Sequence, residues 1–170
     1  MNDSSTAASI PLELDDTDRR LLRLLQEDAS RSNAALARLA HVSPATALRR
    51  VRRLMEGGVI QRVVALLAPQ QVAQGLHVVL EITLDPQTDE SALAFEAAVQ
   101  ALPEVQQAWR TGGGIDFVLI AWVADMAHYQ RLSQSLLSGQ RQVRNVRAYF
   151  SIRRSKFDIA QPVDAAPRLP

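Results

Sequence analysis

The hydrophobic period of this chain changes partway along it, which limits the folds open to it. Between residues 14 and 55 the apolar residues recur at helical spacing, whereas from residue 77 onward they alternate as in a strand. A chain that switches period once reads as two modules. Pro69 and Gly75 punctuate the change and put the join near residues 68 to 75. The 170 residues leave room for two small domains, and a 47% hydrophobic, 22% charged composition is that of globular protein.

In the first module Asp15 is placed to cap a helix that opens at Leu14 to Asp18, with acidic residues at the positive end of its dipole. Leu21, Leu22, Leu24 and Leu25 form its apolar face. A second helix begins near Ser32 and Asn33 and is expected to bury Leu36, Leu39 and Ala40. His41 and Val42 make a turn, and Ser43 before Pro44 is a strong helix start, since proline at the first helical position gives up no hydrogen bond. The third helix runs to Met55, expected to bury Leu48, Val51 and Leu54 or Met55, and Gly57 with Gly58 stops it. Val59 to Leu67 is β-branched and apolar and reads as a strand leading out.

The second module alternates from His77 to Leu84, with Val78, Leu80, Ile82 and Leu84 on one face. A helix from Thr88 to Leu102, strands at 105–111 and 116–123 around Gly112 to Gly114, a helix at 126–137 and a strand at 143–152 complete the order β-α-β-β-α-β. That order is the ferredoxin-like split unit, with both helices on one face of an antiparallel sheet. The third strand is apolar on both sides: Val118, Ile120 and Trp122 on one, Phe117, Leu119, Ala121 and Val123 on the other. Two helices cover one face only, so a second copy of the sheet is the expected cover for the other. An aspartate in place of Leu119 is expected to break that dimer.

Function points to the third helix. With the expected face inward, Ala45, Thr46, Arg49, Arg50 and Arg53 turn to solvent, with Arg52 at the margin. Residues 44 to 62 hold five arginines against Glu56 alone, although the whole chain has a net charge of only +1. Small residues first and guanidinium groups later suit a helix entering a DNA major groove, with Ser43 at its positive end near a phosphate. A helix, a short turn and a capped basic helix together form a helix-turn-helix.

The segments LDDTDRRLLRLLQED, SNAALARLAHVSPATALRRVRRLMEGGVIQRVVALLAP, HVVLEITL and GGGIDFVLIAWVADMAHY resemble the Lrp/AsnC, or feast/famine, transcriptional regulators from Leu14 to about Ile152. The resemblance implies an α+β protein: a winged helix-turn-helix followed by a ferredoxin-like βαββαβ domain of the RAM/ACT-like kind. It implies binding of double-stranded DNA by homodimers, often assembled to octamers, and a small-molecule effector, commonly an amino acid, near the loop between the second and third strands. Here that loop is Gly112, Gly113, Gly114 and Asp116. Glycines let a ligand approach exposed backbone, and Asp116 suits an amino group. The chain departs from the pattern at Gly114, where relatives often carry an acidic or amide residue, and at His41, where glycine is usual.

The domains expected are a disordered tail at 1–11, a helix-turn-helix domain at 12–62, a linker strand and hinge at 63–75, a dimerisation and effector domain at 76–155 and a tail at 156–170. DNA-binding residues are expected at Ser43, Ala45, Thr46, Arg49, Arg50, Arg52 and Arg53. No cofactor, metal or membrane partner is expected. His77 and His128 lack ligand spacing, no run nears the roughly 18 to 20 apolar residues that cross a bilayer, and an opening without a secretion signal leaves the cytoplasm as the expected compartment. The chain contains no cysteine, which excludes disulfide and thiolate chemistry. Two alternatives stand beside the regulator: a sirohaem decarboxylase-like enzyme using His77, His128, Arg110 and Arg147, and a DNA-organising protein that senses no ligand.

Overall fold

The computed structural model describes residues 12–72, 74–139 and 142–163. They form two compact units, residues 12–66 with 158–163 and residues 67–157. The expected disordered tail at 1–11 and the stretch 164–170 lie outside the described residues.

The first unit holds α1 (Asp16–Glu27), α2 (Asn33–Ala40) and α3 (Pro44–Glu56). Each starts on a side-chain cap: Asp15 accepts the Asp18 N–H in a full capping box, Ser32 accepts from Ala35 and Ser43 from Thr46. His41 ends α2 in the left-handed conformation, φ 56° and ψ 46°, the geometry expected of the turn residue there. The core is made of Leu21, Leu36, Ala37, Ala40 and Ala47. Its three alanines allow the helix backbones to approach closely.

Two expected faces are corrected. Leu39 is exposed, and Ala37 with Ala40 carries the buried side of α2. In α3 the buried residues are Ala47 and Leu54 with Val51 half-buried, while Leu48 and Met55 are exposed. The true inward stripe therefore starts one residue earlier than the leucine spacing suggests. Val59 to Leu67, expected as a strand, joins no sheet among the described residues: the Ile60 N–H donates to the Leu54 carbonyl, and Val63, Val64, Leu66 and Leu67 stand exposed. A strand exists only where a neighbour accepts its backbone bonds, and none of the described residues of the chain offers them to this segment. The C-terminal segment, read as loose, returns to α1: Gln26 Nε2 donates to the Gln161 carbonyl at 3.0 Å, and the Gln161 N–H donates to Gln26 Oε1 at 2.6 Å.

The second unit runs α4 (Pro69–Val72), β1 (Leu76–Leu84), α5 (Asp89–Val99), β2 (Val105–Arg110), β3 (Phe117–Val123), α6 (Met126–Gly139) and β4 (Val143–Phe150). The antiparallel sheet has the order β2-β3-β1-β4, the ferredoxin-like arrangement expected. One face packs on α5 and α6: Val78, Leu80, Ile82, Leu84, Phe117, Leu119, Ala121 and Val123 are buried with Phe95, Val99, Leu132 and Leu136. Phe95 and Phe117 pack with ring planes tilted by 45° and centroids 4.7 Å apart.

The opposite face carries Val79, Val118, Ile120 and Trp122, half-buried, with Trp109 and Tyr149 exposed, as the pairing register Val79↔Ile120, Val79↔Tyr149 and Trp109↔Val118 places them. Glu81 on this face accepts from Tyr149 Oη at 3.2 Å and lies 3.7 Å from Arg147 Nη1. Leu119 belongs to the helix-covered side and is fully buried, so an aspartate there strikes the unit's own core. Residues 118 and 120 are the ones that probe the open face.

Candidate nucleic-acid interface

Ala47, Val51 and Leu54 fix the rotation of α3, and the helical period then sets what its other side presents. Ala45, Arg49, Arg52 and Glu56, at intervals of four, three and four residues, form the exposed side, all of them open to solvent. Neither Arg49 nor Arg52 has a hydrogen-bond or ion-pair partner among the described residues. The start of the helix is held by several contacts. Ser43 Oγ accepts the Thr46 N–H at 3.2 Å and lies 2.8 Å from Thr46 Oγ1, while Asn33 Nδ2 donates to the Pro44 carbonyl at 2.9 Å. Ser43 and Ala45 are exposed and Thr46 is half-buried beside them.

Arg50 and Arg53, expected in solvent, turn instead to the start of α1. Arg50 Nη1 donates to Asp15 Oδ2 at 2.6 Å and to Asp18 Oδ1 at 3.0 Å, and Arg53 Nη2 donates to Asp18 Oδ2. Asp18 is fully buried, an unusual place for a carboxylate unless it is paired. Asp15 is held down to about 2, first by the Asp18 backbone N–H and next by the Arg50 guanidinium. Arg50 in turn is raised above its ordinary value by its hydrogen bonds to Asp15 and then Asp18. The basic helix is thus two-sided: Arg49 and Arg52 face outward, and Arg50 and Arg53 are joined to α1. Asp15 was legible as a cap; that it and Asp18 serve the arginines was not, because the partners lie 32 to 35 residues apart.

The glycine loop between β2 and β3 is open. Gly113 and Gly114 adopt φ of +85° and +76°, conformations that favour glycine, and a Cβ on Gly112, Gly113 or Gly114 would meet nothing within 4 Å. Asp116 is half-buried and already works as an anchor: its Oδ2 accepts the Leu84 N–H at 2.7 Å and Gln87 Nε2 at 3.0 Å. Its backbone N–H donates to the Ile82 carbonyl, and Thr111 donates to the Asp116 carbonyl. Those bonds leave Oδ1 for a further donor. A cavity of about 340 Å³ lies elsewhere, beside Gly75, His77, Trp122, Ser151 and Arg153, at the opposite end of β1.

Among the described residues no group of three or more histidines and carboxylates is placed to hold a metal ion, and no helix is long and apolar enough to cross a membrane. Of the residues named for the enzyme alternative, His128 Nε2 lies 3.0 Å from Glu104 Oε1 and Arg110 is paired with Asp89. That histidine contact is also what lowers the Glu104 pKa most. His77 and Arg147 lie on the open sheet face, so the four do not converge on one centre.

Comparison with known proteins agrees with this geometry. The AsnC-type helix-turn-helix domain model matches residues 14–55, and the Lrp/AsnC ligand binding domain model matches residues 77–160. The chain is 38% identical over 137 residues to the leucine-responsive regulatory protein of Salmonella typhimurium, covering 81% of this chain and 84% of that protein. It is 30% identical to the DNA-binding transcriptional activator DecR of Escherichia coli, over 89% of this chain and 99% of that one. Among solved structures, an AsnC family transcriptional regulator from Agrobacterium tumefaciens superposes with a TM-score of 0.80 at 32% identity, covering 89% of this chain and 98% of that one. A transcriptional regulator of Neisseria meningitidis in complex with L-Met gives 0.80 at 27%, with the same coverage.

Fold and helix surface together define a DNA-binding transcription regulator of the helix-turn-helix class. The chain belongs to the Lrp/AsnC family.

Proposed function

We propose that the outward side of α3 is the reading surface, with Ala45, Thr46 and Arg49 at base edges, Arg52 on phosphate and the helix start at Ser43 against a neighbouring phosphate. The observation that carries this reading is the pair of arginines, Arg49 and Arg52, that have no partner among the described residues and stand on the exposed stripe of a capped helix. Small residues at the first turn permit close approach, and a guanidinium one turn later reaches guanine O6 and N7. Two copies pair through the open sheet faces around Ile120 and present two such helices to successive major-groove turns about 34 Å apart. Dimers assemble further toward an octamer, as the resemblance implies. The protein acts in the compartment that holds the DNA, the cytoplasm of a bacterial cell, and does so as a regulator and not as an enzyme.

The effector in this reading is an amino acid or a related small metabolite. The L-Met complex of the Neisseria regulator supports that class. The Gly112 to Asp116 loop offers backbone groups and Asp116 Oδ1 to an ammonium group, and its openness fits a site closed by a second copy. Binding there shifts the assembly, and DNA affinity follows from the difference between the two states.

The test is a gel-shift titration on a duplex selected from random sequence. Arg49→Ala is expected to cost about 1 to 3 kcal/mol on the selected site and to relax specificity at one base position. Unchanged affinity and unchanged specificity would remove Arg49 from the reading surface.

A further inference from the structure

Four charges at the junction of α1 and α3 are not used by the reading just given. Asp15 and Asp18 lie three residues apart at the start of α1, and Arg50 and Arg53 lie three residues apart on α3. Both guanidinium groups bend to the same fully buried carboxylate, Asp18, and Arg50 also reaches Asp15. The Nε–H groups of Arg50 and Arg53 are buried and have no acceptor among the described residues. Retention of the two side chains therefore rests on the carboxylate contacts of their terminal nitrogens.

We propose that Asp15 and Asp18 are specificity-determining residues that withhold Arg50 and Arg53 from DNA. The inference rests on α3 being the reading helix. Of the four arginines between 49 and 53, two are neutralised internally, so the helix presents about half its formal positive charge to a duplex. Phosphate contacts add affinity for every sequence equally, whereas base contacts discriminate. Holding two guanidinium groups against carboxylates lowers attraction to unrelated DNA and leaves the base-reading side intact. The ratio between selected and unrelated sequences rises as a result. A helix that kept all four arginines free would bind more tightly and choose less well.

The measurement is the salt dependence of binding by the full chain, followed by fluorescence anisotropy on a duplex of unrelated sequence and on the selected duplex. Each phosphate neutralised contributes about 0.9 to the slope of log affinity against log salt, or roughly threefold between about 50 and 200 mM. Arg52→Gln is the positive control and is expected to make the slope shallower by about 0.9 per protomer bound. The charge-conserving double variant Asp15→Asn with Arg50→Gln keeps a good cap and is expected to leave the slope at its wild-type value. The variant Asp15→Asn with Asp18→Asn releases both arginines: its slope steepens by up to about 1.8 per protomer, and the ratio of selected to unrelated affinity falls.

A slope loss in the Asp15→Asn, Arg50→Gln variant equal to that of Arg52→Gln would overturn the proposal, because Arg50 would then be a phosphate contact. So would a folded double-asparagine variant with wild-type slope and specificity. Should that variant fail to fold, the charge-conserving one decides alone. If Arg52→Gln and Arg49→Ala change nothing while the wild type binds DNA, the reading helix itself is misassigned and the proposal falls with it.

Discussion

The two units bury their apolar surface in different ways. The sheet unit stacks large side chains, Phe95 and Phe117 among leucines and valines, between one sheet face and two helices. The helical unit buries three alanines beside four leucines, Leu21, Leu22, Leu36 and Leu54, with no aromatic among them, and adds an ionic cluster at Asp18. Area removed from water dominates in the first, since each large apolar side chain contributes about 1.5 to 3 kcal/mol. Alanines contribute far less, so in the helical unit the caps and the Asp18 cluster carry a larger share. A small DNA-reading module built this way ties its stability to the same charges that shape its surface.

Substitutions that strike one kind of core and spare the other put this contrast to the test. Leu119→Asp places an unpaired charge in the sheet core and is expected to cost more than about 4 kcal/mol, seen as loss of the cooperative thermal transition of the C-terminal unit. Its neighbour makes the comparison: Ile120→Asp lies on the open face and is expected to leave the fold intact while light scattering reports loss of the dimer. If the two variants behave alike, the assignment of faces is wrong. Next comes Asp18→Ala, which leaves Arg50 and Arg53 without their shared carboxylate. Breaking a buried pair costs about 3 to 5 kcal/mol, and the lower end is expected because Arg53 keeps part of its guanidinium in water. Urea unfolding that moves by less than about 1 kcal/mol would show the cluster to be incidental.

The smallest effect is on acid stability. Asp15 ionises at about 2 in the folded chain against an ordinary 3.8. A depressed carboxyl contributes stability that is complete above its ordinary value and is lost as the pH falls through the folded value. Asp15→Asn keeps the cap and removes the titration, so wild type and variant are expected to differ above about pH 4 and to converge toward about pH 2. A difference that stays constant with pH would place the Asp15 contribution elsewhere.

Much of this was legible in the sequence, for reasons that particular residues make clear. Caps at Asp15, Ser32 and Ser43 are local signals, and alternation in β1 needs only its own residues to be read. The rotation of α3 was misread by one position because Leu48 outweighs Ala47 on any hydrophobicity count, while the helix contact needs the smaller residue. The roles of Arg50 and Arg53 were hidden because their partners lie on another helix. Val59 to Leu67 has the composition of a strand, yet composition does not supply a neighbour. Gly112 to Gly114 announced an open loop, whereas the anchoring of Asp116 on Leu84 and Gln87 could be seen only once β1 and β3 lay side by side.

Contact between the exposed stripe of α3 and the duplex can be measured directly, because the chain contains no cysteine and a single one can be introduced at will. A DNA-cleaving reagent attached to a single cysteine at position 45 is expected to cut the selected duplex in two clusters about one helical turn apart, while the same reagent at exposed Leu93 on α5 leaves it uncut. Cleavage from position 93 with none from position 45 would contradict the account.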